Sequence, residues 1–192
     1  MVDSTRLEIA HGRKVIEGSN PSLTATMQLL RVIKDKPFPK NKKVGFREAS
    51  RAVLFGERNL VALLFVSKEN YHKLPGGGIE EGEDRLKALF REGLEETGCE
   101  FEINGEVGKI EEYRSEFNLK QISYCFLGKV TKKGKSHFEQ EEINEGFNLV
   151  WLTLDEAIKT LENDKPQNYE GGFIQERDLA FLKKAKEIIN NR

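Results

Sequence analysis

Apolar positions recur along the chain with two different periods. Residues 46–55 and 60–67 are short runs rich in β-branched and aromatic side chains that flank Gly56-Glu57-Arg58-Asn59, a pattern that predicts two strands joined by a hairpin turn. Residues 101–113 and 121–130 have the same character and predict two more strands. Residues 149–152 predict a short strand, after which Asp155 caps a helix running to about Glu162. From Glu83 to Thr97 the period becomes helical. At about 100° per residue, Leu86, Leu89, Phe90, Gly93, Leu94 and Thr97 fall on one side, whereas Glu92, Glu95 and Glu96 fall together on the other. Gly98 is a favoured stop just past such a helix. A last helix over residues 175–190 turns Leu179, Phe181, Leu182, Ala185, Ile188 and Ile189 inward.

Strands interleaved with a central and a C-terminal helix predict a layered α/β domain. Residues 1–44 are mixed and polar, are broken by Pro21, Pro37 and Pro39, and hold one short amphipathic piece over residues 27–33. They are expected to form a partly ordered N-terminal extension before a domain over residues 45–192. Asn168-Tyr169-Glu170-Gly171-Gly172-Phe173 reads as a loop between two helices, placed to close over a pocket.

Charge and cysteine content narrow the function. With 31 basic and 32 acidic residues the net charge is -1, which argues against general nucleic-acid binding but leaves room for a local basic pocket. Two cysteines, Cys99 and Cys125, are too few for a disulfide framework and fit reduced thiols in a cytoplasm. The first 18 residues are studded with charge and lack the apolar stretch of a signal peptide. The longest apolar run, residues 60–66, is far too short to span a bilayer, so no membrane partner is expected.

The acidic helix face carries the chemistry. Like charges at i, i+3 and i+4 cost roughly 0.2–0.5 kcal/mol per pair, so such a face is either well solvated or neutralised by a counter-ion. Carboxylates suit a hard divalent cation, and Mg²⁺ typically binds one or two of them, keeps several waters and takes further ligands from substrate phosphates. Just upstream, Gly76, Gly77, Gly78 and Gly82 form a loop whose backbone can approach a metal or phosphate without Cβ clashes. Glu139, Glu141, Glu142 and Glu145 form a second acidic patch before Val150-Trp151-Leu152.

Gly77, Glu83, Arg91, Glu92, Glu95, Glu96 and Gly98 together match G-x5-E-x7-R-E-U-x-E-E-x-G-U, with Leu74-Pro75-Gly76 leading into it. The segment resembles the Nudix box, and the chain is identified by it as similar to the Nudix hydrolases. Gly93 and Cys99 depart from the aliphatic residues of that pattern, and both read as packing positions. The resemblance implies a Nudix-type α/β/α sandwich around a central mixed β-sheet. It implies divalent-metal-dependent hydrolysis of a pyrophosphate bond, with Mg²⁺ as cofactor and Mn²⁺ able to substitute. Carried over by position, Glu92, Glu95, Glu96 and the Gly76 carbonyl hold metal, Arg91 orients the carboxylates by ion pairs within reach of Glu83 and Glu95, and Glu142 or Glu141 is the candidate base.

The expected substrate is a small nucleotide: a nucleoside diphosphate joined to another moiety, such as a nucleotide sugar or an ADP-ribose-like compound, or a nucleoside triphosphate. No proline lies between Pro75 and Pro166, which counts against the ADP-ribose option. Arg47, Arg51, Arg114 and Lys120 are candidate phosphate contacts, with Gly77 and Gly78 on the substrate side of the loop. Aromatics in strands, Tyr113 and Tyr124 among them, are more often core than stacking platforms. His72 reads as a partly buried structural residue, and His11 and His137 are given no role. The contrasting reading is a nucleotide-binding sensor that does not hydrolyse, against which the intact charged positions of the box weigh. A Nudix-fold isomerase is more remote. A homodimer is compatible with the extension, though no residue pattern demands it.

Overall fold

A computed structural model describes residues 27–191. His11 and the first part of the expected extension lie outside the described residues. The strands are β1 (Leu29–Lys34), β2 (Gly45–Phe55), β3 (Val61–Val66), β4 (Tyr71–Lys73), β5 (Glu100–Arg114), β6 (Leu119–Lys132) and β7 (Phe147–Leu152). The helices are α1 (Arg85–Thr97), α2 (Gln140–Glu145), α3 (Leu154–Asn163) and α4 (Tyr169–Asn190). They build a seven-stranded mixed sheet in the order β1-β5-β6-β2-β3-β4, with β7 on the other edge of β3. The β1–β5 and β2–β6 pairs are parallel and the rest antiparallel. Helices lie on both faces, α1 on one and α3 with α4 on the other. This is the expected α/β/α sandwich. No helix among the described residues is long and apolar enough to cross a membrane.

The sheet forks at β2, and the fork makes the site. β2 meets β3 only at Phe55 and Val61. Beyond that point the backbone of residues 75–79 replaces β3 alongside β2. The Ala52 and Ser50 amides donate to the Pro75 and Gly77 carbonyls at 3.0 and 2.9 Å, and the Ile79 amide donates to Glu48 at 3.0 Å. The glycine loop is thus clamped in the sheet plane. At Gly76, with φ of 126°, a Cβ would lie 2.1 Å from the Ser50 carbonyl oxygen, so both space and backbone angle demand glycine there.

Strand alternation divides the core. Ala52 and Leu54 pack with Leu89 and Phe126 toward α1, while Val53 packs with Leu161, Phe181 and Leu182 toward α3 and α4. Gly93 faces β5, where a Cβ would stand 2.5 Å from Phe101 Cε1, so its missing side chain lets α1 sit close to the sheet. Cys99 and Cys125 are buried free thiols.

Several expectations change. The amphipathic piece over residues 27–33 is the edge strand β1, hydrogen-bonded parallel to β5. The stretch from Asn168 to Phe173 is no closing loop: Asn168 caps α4 by accepting from the Gly171 amide at 2.7 Å, and the helix begins at Tyr169. Gly171 sits inside that helix because α4 crosses β4 closely there, a Cβ meeting Tyr71 Cδ1 at 2.7 Å. Thr153, not Asp155, caps α3, through a reciprocal capping box with Glu156.

Candidate active site

Asp84, immediately before α1, accepts from the Leu86 and Lys87 amides at 2.9 Å each and fixes where the helix starts. This leaves Glu83 outside the helix, free to turn back along it. Arg91, two turns on, makes a two-pronged bond to Glu83, Nε and Nη2 donating at 3.1 and 3.0 Å. Its Nη1 donates to Glu92 at 2.8 Å and its Nη2 to the Gly78 carbonyl at 3.2 Å, with Glu95 3.6 Å from Nη1. One guanidinium therefore ties the loop, Glu83 and the helix carboxylates together. The paired hydrogen bonds pull the Glu83 carboxyl below its usual range and push Arg91 up.

Glu96 differs from what the helical pattern predicts. It lies on the buried flank of α1 beside Ala88, Leu89 and Gly93, whereas Phe90 and Leu94 are exposed. The physical reason is the clamped loop, which gives the carboxylate polar partners inside the protein. Its Oε2 accepts from the Gly76 amide at 2.6 Å, and Lys73 Nζ stands 2.9 Å from Oε1. Glu92 is packed so tightly on the loop that a Cβ at Gly77 would lie 2.1 Å from its carboxyl carbon.

Burial raises Glu96 above the ordinary glutamate range, against the pull of Lys73 and the Gly76 amide. Glu95 is raised by partial burial and by Glu92, with Arg91 opposing. Glu142 is also raised, by burial and then by the nearby Glu96 and Glu92 charges, which draws α2 into the same electrostatic cluster. One Glu142 oxygen is engaged by the Glu139 amide at 2.9 Å as the capping box of α2, while Glu141 is exposed.

The donor set fits a hard divalent cation. Five carboxylates, Glu83, Glu92, Glu95, Glu96 and Glu142, share two nearby cations, Lys73 and Arg91, and glycines leave room at the backbone. As they stand, no three His, Cys, Asp or Glu side chains among the described residues are grouped so that they could hold a metal ion by themselves, so there is no protein-only cage. Mg²⁺ does not require one, since water and substrate phosphate complete its shell. Lys73 holds the place beside Glu96 that a cation would contest. Sequence reasoning missed Lys73, whose signal was a lysine immediately before the Leu74-Pro75-Gly76 run that leads into the box.

The remaining candidates separate clearly. Arg47 is exposed, its Nη2 3.0 Å from where a Cβ of Gly78 would sit. Arg51 is buried beneath the loop. Arg114 is buried and bound to Glu112 and Glu170, and Lys120 pairs with Glu111 at 3.0 Å. His72 is structural: its amide donates to Asp164 at 2.7 Å, and its ring stacks on Phe65. Tyr124 is core.

A family model described as the NUDIX domain matches residues 45–171. The chain belongs to the Nudix family. It is a Nudix pyrophosphohydrolase, and enzymes of this family generally use divalent metal ions. Among its relatives is diphosphoinositol polyphosphate phosphohydrolase 2 of Rattus norvegicus, 27% identical over 129 residues that cover 66% of this chain and 69% of that one. A NUDIX hydrolase from Nitrosomonas europaea has the same fold, with a TM-score of 0.54 at 17% identity over 73% of this chain and 88% of that one. An Ap4A hydrolase of C. elegans, solved as a binary complex, gives 0.51 at 18% identity, covering 76% and 99%.

Proposed function

We propose that this Nudix enzyme is a Mg²⁺-dependent hydrolase of a phosphoric anhydride in a small phosphorylated substrate, with Mn²⁺ able to replace Mg²⁺. The observation that carries the reading is the convergence of Glu92 and Glu96 on the backbone of Gly76 and Gly77. Glu92, Glu96, Glu95 and the Gly76 carbonyl are the metal ligands in this reading. The bound ion supplies charge neutralisation at the phosphoryl oxygens and a more acidic water.

The protein's own side chains do the rest. Arg91 is a positioning residue that fixes Glu92 and, through Gly78 and Glu83, the loop. Glu142, whose carboxyl is raised above the ordinary glutamate range by burial and like charge, is suited to take a proton from the attacking water. Arg47, Gly77 and Gly78 face the substrate. The relatives named for diphosphoinositol polyphosphates and for Ap4A support an anhydride flanked by other phosphates, alongside nucleoside triphosphates and nucleotide sugars.

The test is phosphate release from a panel of such substrates with Mg²⁺ or Mn²⁺, comparing the native chain with Glu95→Gln and Glu96→Gln. Both variants should stay folded and lose two to four orders of magnitude in kcat. Full activity in either sinks that residue's assignment, and a native chain that binds but never turns over would favour a sensor.

A further inference from the structure

On the α4 face of the sheet three guanidiniums and two carboxylates are buried together: Arg51, Arg114 and Arg177 with Glu112 and Asp178. Four of the five are ion-paired with one another, although Arg114 Nε is also buried without an acceptor. Glu112 accepts from Arg114 at 2.9 Å and from Arg177 at 3.5 Å, and Arg177 forks onto Asp178 at 2.7 and 3.1 Å. Arg51 is the fifth. It is 6% exposed, its Nε and Nη1 are sealed from solvent without a hydrogen-bond acceptor, and no carboxylate among the described residues lies within ion-pair distance. Buried charges are ordinarily paired, and an arginine fork matches a phosphate.

Its position says which anion. A Cβ on Gly76 would lie 2.9 Å from Arg51 Cα, so the main chain from which the Arg51 side chain springs lies directly against the loop of the box. Arg47 is four residues earlier on the same strand and the same face, beside Gly78. Upstream again, residues 34–47 hold six basic residues against one acid, Asp35, in a chain whose net charge is -1. That acid is occupied by Ser115 and Tyr169, at 2.6 and 2.9 Å, while Lys40, Lys42 and Lys43 are exposed. Positive charge therefore runs from an exposed rim along β2 to a buried guanidinium next to the box.

We infer that Arg51, Arg47 and this rim form a phosphate subsite continuous with the box, so that the substrate carries at least one phosphate beyond the two joined by the scissile bond. A diphosphate linked only to an uncharged sugar would leave Arg51 unpaired. The inference rests on the box as the site of anhydride cleavage, and its test keeps the two apart.

Inorganic tripolyphosphate and inorganic pyrophosphate are titrated calorimetrically into the full chain in excess EDTA, so that no divalent cation bridges ligand to box. The native chain should bind tripolyphosphate at least tenfold more tightly than pyrophosphate, with an affinity that falls as salt rises. Arg51→Met should weaken tripolyphosphate binding tenfold or more while its melting temperature stays at or above that of the native chain, because an unpaired buried charge is replaced by an apolar stem of similar length. Arg51→Lys, keeping charge without the fork, should fall between. Glu96→Gln should bind tripolyphosphate at least as well as the native chain while losing turnover, so failure of the box and failure of the subsite read out separately. A folded Arg51→Met that binds within twofold of the native chain, or a native chain that binds the two ligands alike, overturns the inference. Should Arg51→Met not fold, Arg51→Lys binding within twofold overturns it instead.

Discussion

Two charged clusters sit within one domain, and their composition is opposite. At the box, five carboxylates crowd two cations, Lys73 and Arg91, both on partly buried side chains. On the α4 face, Glu112 and Asp178 are held by guanidiniums in a nearly closed network, with Gln121 and Ser123 also donating to Glu112 at 2.9 and 3.1 Å. Burial pushes Glu112 up, yet Arg177 and Arg114 hold it below the ordinary range, whereas Glu95, Glu96 and Glu142 are all raised. The same residue type is stabilised as an anion in one place and left short of positive charge in the other. A closed network supports the fold. An open one leaves carboxylates short of positive charge, which is where the proposed reading puts a cation.

Breaking the closed network should therefore cost stability first. Asp178 accepts from the Leu74 amide at 2.8 Å as well as from Arg177, so it ties α4 to the strand end that leads into the loop. Asp178→Ala leaves the Leu74 amide and the Nε and Nη2 of Arg177 buried without an acceptor, Arg177 keeping only its long contact to Glu112, and the expected loss is about 3–5 kcal/mol. Thermal unfolding would show a melting point about 10 °C lower. An unchanged melting point would mean that the network is not what holds α4 against the loop.

The smallest effect is expected where packing near the box changes but charge does not. Gly93→Ala gains about 1 kcal/mol of helix propensity but presses on Phe101, an overpacking cost of about 1–3 kcal/mol. A net loss near 1 kcal/mol with turnover within twofold is expected, read by denaturant unfolding and steady-state kinetics. A large fall in kcat would show that the helix-to-sheet spacing itself sets the carboxylate geometry.

Much of this arrangement was legible in residue order, and the failures have physical causes. Strands β2, β5 and β6 and helix α1 carry strong periodicity and form close to where it places them. The start of α4 was hidden by Gly171 and Gly172, which look like a loop until Tyr71 is seen to need the space. Strand β4 is only Tyr71-His72-Lys73, too short for a pattern, and α2 is capped by Glu139 where serine or threonine is the usual signal. The direction of Glu96 depended on a loop folded into the sheet plane, a contact twenty residues away that no helical wheel contains. Arg177 and Asp178 are charged positions on a helix, a class of residue that is seldom buried. Only the sheet behind them makes them interior.

The central claim, that the box is an open anionic cluster awaiting a divalent cation, is tested most directly by Mn²⁺ binding measured calorimetrically across pH. Because Glu95, Glu96 and Glu142 hold protons above the ordinary glutamate pKa of about 4.3, protons compete with the ion, and affinity should already decline while pH is still above that value. At pH 8, Glu96→Gln should bind Mn²⁺ at least tenfold more weakly than the native chain, and Lys73→Met, which removes the resident ammonium, as tightly or more so. Glu96→Gln binding Mn²⁺ with native affinity would contradict the account.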